Sequence, residues 1–294
     1  MRILLLCCLS LLVACQSRGV LPPPAPIASE GRDHAGLGVI LDLRSGERIT
    51  PQRLVERLAR PSRVVVGEQH DNPDHHALQL WLSRELAARR PQGSVLLEML
   101  KPNQQTRVDQ VRAETRAGRP PLDAIRALAW QPGWDWAMYG ALVRYQLRQP
   151  YPLLAANLDR EEIMRIYQQR PALQGQASTA AAVQQRLQRD IRESHCGLLP
   201  ESQVPAMLAV QQQRDRRMAE ALLAAPRPSL LLAGAFHARK DLGVPLHLAD
   251  LGAGQGNAVL MLAEVGRQVD ASMADYVWFT AAQPEQDHCA KLRP

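Results

Sequence analysis

Aromatic residues are scarce in this chain of 294 residues: Phe, Trp and Tyr together make up 4% of it. No run of basic residues is interleaved with the few that exist, so the stacking-and-charge pattern of a nucleic-acid binder is missing. Beyond the first residues, no segment is apolar for long enough to cross a bilayer as a helix. The chain also lacks Gly-x-Ser-x-Gly, His-Glu-x-x-His and a phosphate loop, which removes the serine-hydrolase elbow, the zincin helix and the Walker-type nucleotide site. Disorder is excluded by composition, since 46% apolar and 22% charged residues are ordinary for a globular protein. What remains is a mildly basic chain, with 35 Lys+Arg against 29 Asp+Glu and a net charge of +6. Arginine dominates that total, is scattered along the chain, and suits attraction to anionic surfaces or ligands.

The first residues bear on location. Arg2 and the apolar run Ile3 to Val13 have the form of a secretory signal. The run closes on Leu12-Val13-Ala14-Cys15, which resembles a bacterial lipobox. Residues 1–14 are then a lipoprotein signal peptide, and Cys15 carries the lipid, palmitate among its acyl chains. Gln16 rather than Asp at the second mature position resembles lipoproteins sent on to the outer membrane. A multiply acylated Cys anchors a chain firmly with no spanning helix. The expected location is the outer membrane, with the domain on the periplasmic side. Cys7 and Cys8 leave with the signal, so Cys196 and Cys289 remain in an oxidising compartment, where pairing is open but not fixed by sequence. Residues 15–36, rich in Pro, Ser, Gly and Ala and including Pro22-Pro23-Pro24, read as a flexible tether.

From residue 37 to 294 the pattern is that of an α/β domain. Val39 to Leu43 and Arg48 to Thr50 flank a Ser-Gly turn and suggest a hairpin. Buried-strand runs follow at Arg63–Val66, Ser94–Glu98, Pro152–Asn157, Ser229–Gly234, Ala258–Leu262 and Tyr276–Phe279, with helical stretches between several of them. Continuous apolar runs alternating with helices predict a mainly parallel sheet with flanking helices on both faces. A long helical insertion, about residues 161–225, is expected as a cap. Gly252-x-Gly254-x-Gly256 precedes a strand, so it fails the dinucleotide context and reads as a hairpin turn.

Polar residues gather where strands end. The first parallel strand leads into Gly67-Glu68-Gln69-His70-Asp71-Asn72, the next ends in Glu98, the third in Asn157, and the fourth in Gly234-Ala235-Phe236-His237-Ala238-Arg239. Ligands of open α/β sheets bind at the carboxyl ends of strands, so these residues are expected to converge. Glu68, His70, Glu98 and His237 form a candidate ligand set for a divalent metal. A hydrogen-bonded acid/base cluster and a purely structural group are the alternatives. His75 and His76, at the start of a helix, and His195 beside Cys196 are weaker candidates.

These residues also resemble a family. Gly67 to Asn72, Glu98, Ala155-Ala156-Asn157, His195-Cys196-Gly197, Gln213-Arg214-Asp215, Gly234 to Arg239 and Asp275 to Thr280 look, in that order, like the ChaN family of haem-binding lipoproteins. That family belongs to a wider superfamily with the Tiki metalloproteases and erythromycin esterases. The resemblance implies an α/β domain with a helical cap and a homodimer holding stacked haems, each iron bound by a Tyr. It further implies a His near the propionates and service to a haem-uptake system. Phenolate is a suitable hard ligand for ferric haem. Tyr139 and Tyr167 lie near the cap and are the candidate haem ligands, with His195 and Arg239 as candidate partners of the haem. The leading expectation is a lipid-anchored haem-binding protein, with no catalytic residue assigned. The alternative is a periplasmic metal-dependent hydrolase, with a metal-bound water on His70, His237 and Glu98 and with Glu68 as general base.

Overall fold

Three-residue apolar runs such as Val64-Val65-Val66 bury both faces of a strand, and such strands need helices on either side. A computed structural model describes residues 19–287 and 289–290 and shows that arrangement. The strands are β1 (Ile40–Asp42), β2 (Glu47–Ile49), β3 (Arg63–Glu68), β4 (Ser94–Leu97), β5 (Leu153–Ala155), β6 (Ser229–Gly234), β7 (Asn257–Glu264) and β8 (Tyr276–Thr280). They form one sheet in the order β2-β1-β8-β7-β3-β6-β4-β5. Strands β3 to β8 are parallel, while β1 and β2 form an antiparallel hairpin added along β8.

The helices are α1 (Pro51–Leu58), α2 (Pro73–Arg89), α3 (Gln105–Arg116), α4 (Ala124–Leu128), α5 (Trp136–Leu147), α6 (Arg160–Gln169), α7 (Ala181–Ser194), α8 (Val204–Ala224), α9 (Ala235–Ala238) and α10 (Val244–Asp250). Alternation within each strand divides the core. Val64, Val66, Val95, Leu97, Leu230 and Leu232 pack against Leu78, Leu82 and Leu86 of α2 and against Leu142 and Val143 of α5. Val65, Leu96 and Leu231 face the other way, onto Met218, Ala219 and Leu222 of α8. Between β5 and β6 lie α6, α7 and α8, in the stretch read as a helical insertion.

Two sequence expectations change, and one open question closes. Residues 19–36, expected within a flexible tether, are laid along α2. The Leu21 amide donates to Glu85 Oε1 (3.3 Å), Trp81 Nε1 donates to the Leu21 carbonyl (3.0 Å), and the amides of Ile27 and Ala28 donate to Asp74 Oδ1. Glu30 then pairs with Ala282 beyond β8. A segment without sheet partners still has to satisfy its backbone donors, and the carboxylates of α2 accept them. The Gly252–Gly256 stretch is the connection from α10 to β7, not a hairpin, because β7 has parallel neighbours. Cys196 and Cys289, left open by sequence, are joined in a disulfide. The signal peptide and Cys15 lie outside the described residues.

Candidate functional site

The register of the three central strands decides where the polar residues meet. Glu68 is the last residue of β3 and pairs in register with Gly234, the last residue of β6. The amide of Glu98, just past β4, donates to the Leu232 carbonyl of the same β6 (3.1 Å). Gly234 therefore stands between two strand ends that each carry a glutamate. Its amide donates to Glu98 Oε2 (2.7 Å). A Cβ at Gly234 would lie 2.7 and 2.9 Å from His70 Cε1 and Nε2, so any larger residue forces the imidazole to shift.

Two carboxylate–imidazole chains meet at this point. In the first, the Tyr139 hydroxyl donates to Glu68 Oε1 (3.0 Å), and His70 Nδ1 lies 2.6 Å from the same oxygen. In the second, His237 Nδ1 lies 2.5 Å from Asp215 Oδ1 on α8, and His237 Nε2 lies 3.3 Å from Glu98 Oε1. Glu68, Glu98, Asp215 and Tyr139 are fully buried, whereas the His70 side chain is 46% exposed. His70 is thus the face that the cluster shows to solvent, with Trp134 edge-on at 4.9 Å between ring centroids.

The electrostatics follow from these contacts. Burial disfavours charge on His237, yet Glu98 and Asp215 outweigh it and raise its pKa to about 10. Glu98 is held down to about 2, because His237, His70 and the Gly234 amide overcome its own burial. His70 is raised as well, since the Glu68 contact exceeds the cost of burial. Tyr139 moves the other way from a phenolate: burial first, then the charge of Glu68, push its hydroxyl far above the usual range.

The candidate metal set is corrected here. Glu68, His70, Glu98 and His237 do converge, but as hydrogen-bonded pairs, and both nitrogens of His237 face carboxylates as donors. Among the described residues no group of three or more His, Cys, Asp or Glu side chains could hold a metal ion.

Other candidates fall elsewhere. Arg239 forms a two-pronged pair with Asp241 and is buried, so its guanidinium is already used. His195 Nδ1 lies 2.7 Å from the Ile191 carbonyl at the end of α7, with no bond to the cluster. Asn157 ties the end of β5 to the Glu98 carbonyl (2.9 Å). His75 is fully buried between the Gln69 amide and Thr280 Oγ1, and burial drives its pKa down to about 3. His76 packs edge-on to Tyr139, with Nε2 3.0 Å from the His70 carbonyl.

Asp215 was missed as a site residue, although it is an acid on a helix stripe otherwise made of Leu208, Met218 and Leu222. An acid on a core-facing stripe is the signal that marks it.

The comparisons bear on this geometry. Residues 54–248 match the family model described as haem-binding uptake, Tiki superfamily, ChaN. The chain belongs to that family. A solved ChaN from Campylobacter jejuni, described as binding haem cofacially, superposes with a TM-score of 0.75 at 30% identity, covering 82% of this chain and 95% of that one. An erythromycin esterase mutant, EreC, in its open conformation is more distant, with a TM-score of 0.46 at 13% identity over 87% of this chain and 85% of that one. A Bacillus cereus protein gives 0.43 at 9%, over 72% of this chain and 68% of that one. No curated protein matches the sequence. Within the ChaN family, haem is the implied group, and the tyrosines test the fit. Tyr139 is committed to Glu68, Tyr276 holds Arg44, and Tyr145 and Tyr151 neighbour each other under Arg84. Tyr167, half-buried on α6, has no hydrogen-bond partner among the described residues. Met164, 47% exposed, lies one turn before it. The exposed Arg170 caps α6 beside a cavity of about 300 Å³ also lined by Pro171, Leu173 and Leu208. An oxygen donor, an apolar neighbour and a cation on one helix end fit a ferric haem with its carboxylates.

Proposed function

We propose that this protein is an outer-membrane-tethered haem-binding lipoprotein acting in haem and iron acquisition, anchored through Cys15 and facing the periplasm. The observation that carries the reading is the family membership, joined to 30% identity with a cofacial haem-binding ChaN over 82% of the chain. Tyr167 is the iron ligand, because it is half-buried on α6 with no hydrogen-bond partner among the described residues, whereas Tyr139, Tyr151 and Tyr276 are buried and Tyr145 lies under Arg84. Arg170 and Arg160 flank it for the propionates. A second copy of the chain completes the site when two haems stack. Bound haem supplies a ferric centre; the chain supplies the phenolate, the apolar shelf of α6 and the cations.

The test is a hemin titration of the mature protein read by absorption, with sizing of the product. Wild type is expected to give a high-spin ferric spectrum with a phenolate charge-transfer band and a shift to dimer. Tyr167→Phe is expected to lose the band, while Tyr139→Phe keeps it. Retention of the band in Tyr167→Phe, or only nonspecific broadening in wild type, defeats the assignment.

A further inference from the structure

The edge of the sheet opposite the crevice carries a charge pattern that haem binding does not use. Five helix-to-strand connections reach that edge; the one into β7, residues 251–256, is uncharged, and the other four are residues 59–62, 90–93, 148–152 and 225–228, entering β3, β4, β5 and β6. They hold Arg60, Arg90, Arg148 and Arg227 and no Asp or Glu. Arg90 is spent on the carbonyls of Ala59 and Pro61. Arg60, Arg148 and Arg227 are exposed, and among the described residues none has an acidic partner. Exposed Arg116 lies near them, beside Arg112, whose guanidinium holds the carbonyls of Pro150 and Tyr151. Like charges crowd here: after burial, Arg227 is the charge that lowers Arg63. The crevice edge carries Glu68, Asp71, Glu98 and Asp159 instead. The connections at the far edge therefore differ from the crevice edge in carrying arginines without an acid among their own residues.

The path of the N-terminal segment supplies a second, independent observation. Ile27 meets Asp74 at the crevice end of α2, whereas Leu21 meets Glu85 near its other end, one turn from Arg89. The chain thus enters the domain at the basic edge. Three residues separate Cys15 from Gly19, so their Cα atoms are at most about 14 Å apart. Leu21 itself is 62% exposed there.

We propose that this basic edge is a membrane-docking face that takes anionic phospholipid headgroups, so that a lipid on Cys15 and the arginines hold the domain in one orientation with the crevice turned away from the bilayer. The proposal rests on the lipid-anchor part of the proposed function. Each arginine near an anionic surface contributes about five-fold in binding, so three together contribute on the order of a hundred-fold.

The experiment separates the edge from the anchor. The chain from Gln16 onward, made without lipid, contains the whole described fold and is sedimented with vesicles of phosphatidylcholine alone or mixed with phosphatidylglycerol. Binding is expected only to the anionic vesicles and to weaken with salt. The triple variant Arg60→Ser, Arg148→Ser, Arg227→Ser is expected to bind on the order of a hundred-fold more weakly. A charge-matched control, Arg165→Ser, Arg189→Ser, Arg267→Ser, on α6, on α7 and after β7, should retain most of the binding; thermal melting of both confirms folding. Equal losses in the two variants, binding indifferent to anionic lipid, or no binding at all overturns the proposal. Membrane fractionation of the wild type against Cys15→Ala tests the anchor by itself.

Discussion

Replacing Asp215 by Asn removes one of the two carboxylates that hold His237 charged in the interior. Breaking a buried ion pair by removing one partner costs about 3–5 kcal/mol. Asn keeps a hydrogen-bond acceptor near His237 Nδ1 and Glu98 still faces Nε2, so the lower end applies, about 3 kcal/mol. In a protein of this size that corresponds to a fall of roughly 5 °C in Tm. The pH dependence gives a sharper test. The folded pKa of His237 is raised to about 10 from 6.5, so its stabilising contribution is complete below about 6.5 and is lost as pH rises through about 10. Glu98 is depressed to about 2 from 4.5, so its contribution is present above about 4.5 and is lost as pH falls toward about 2. In Asp215→Asn the alkaline loss should be smaller and complete at a lower pH, because His237 has lost a partner that raised its pKa. The assay is thermal unfolding across pH, paired with NMR titration of the His237 ring. Coincident Tm-against-pH curves for variant and wild type would refute the charge assignment in the cluster.

Gly234→Ala forces a methyl group to within 3 Å of His70 and should cost about 1–3 kcal/mol through displacement of the ring, visible as a lower Tm and a shifted His70 resonance. Tyr139→Phe removes one hydrogen bond to Glu68 and should cost about 1 kcal/mol by chemical denaturation. Asp74→Ala deprives Ile27 and Ala28 of their acceptor, so limited proteolysis should cut within residues 19–30 faster than in wild type. Cys196→Ser opens a 93-residue loop and should cost about 2–4 kcal/mol, read as a lower denaturation midpoint in the absence of reductant.

Much of the sheet was legible because its central strands are buried on both faces and so appear as unbroken apolar runs. Val64 to Val66 and Leu230 to Leu232 could hardly belong elsewhere, and the polar residues after them had to project from one edge. The convergence of His70, Glu98 and His237 followed from that. Their partners did not, because Asp215 comes from α8 across the sheet and no local pattern links it to His237. Tyr139 was singled out for its hydroxyl, but sequence could not show that the loop holding Trp130 and Trp134 buries that hydroxyl against Glu68. The N-terminal segment misled for a different reason. Its Pro-rich composition describes a chain without internal structure, and only the acceptors of α2 show that it is held. The turn glycines at 252–256 misled because the reversal they make joins a helix to a parallel strand.

The position of β6 has a kinetic consequence. It lies between β3 and β4, yet about 130 residues separate β4 from β6 in the chain. A polypeptide emerging N-terminus first into its compartment therefore presents β3 and β4 with vacant flanks until residue 229 arrives. Such non-local closure is slow and leaves strand edges open to mispairing. Gly234 is delivered by the same strand, so the step that seals the middle of the sheet also brings the two glutamate–histidine chains together. Any chain that stalls or is cleaved before that point has neither a closed sheet nor a crevice, and should be cleared by proteases as an unfolded species instead of persisting as a half-active one.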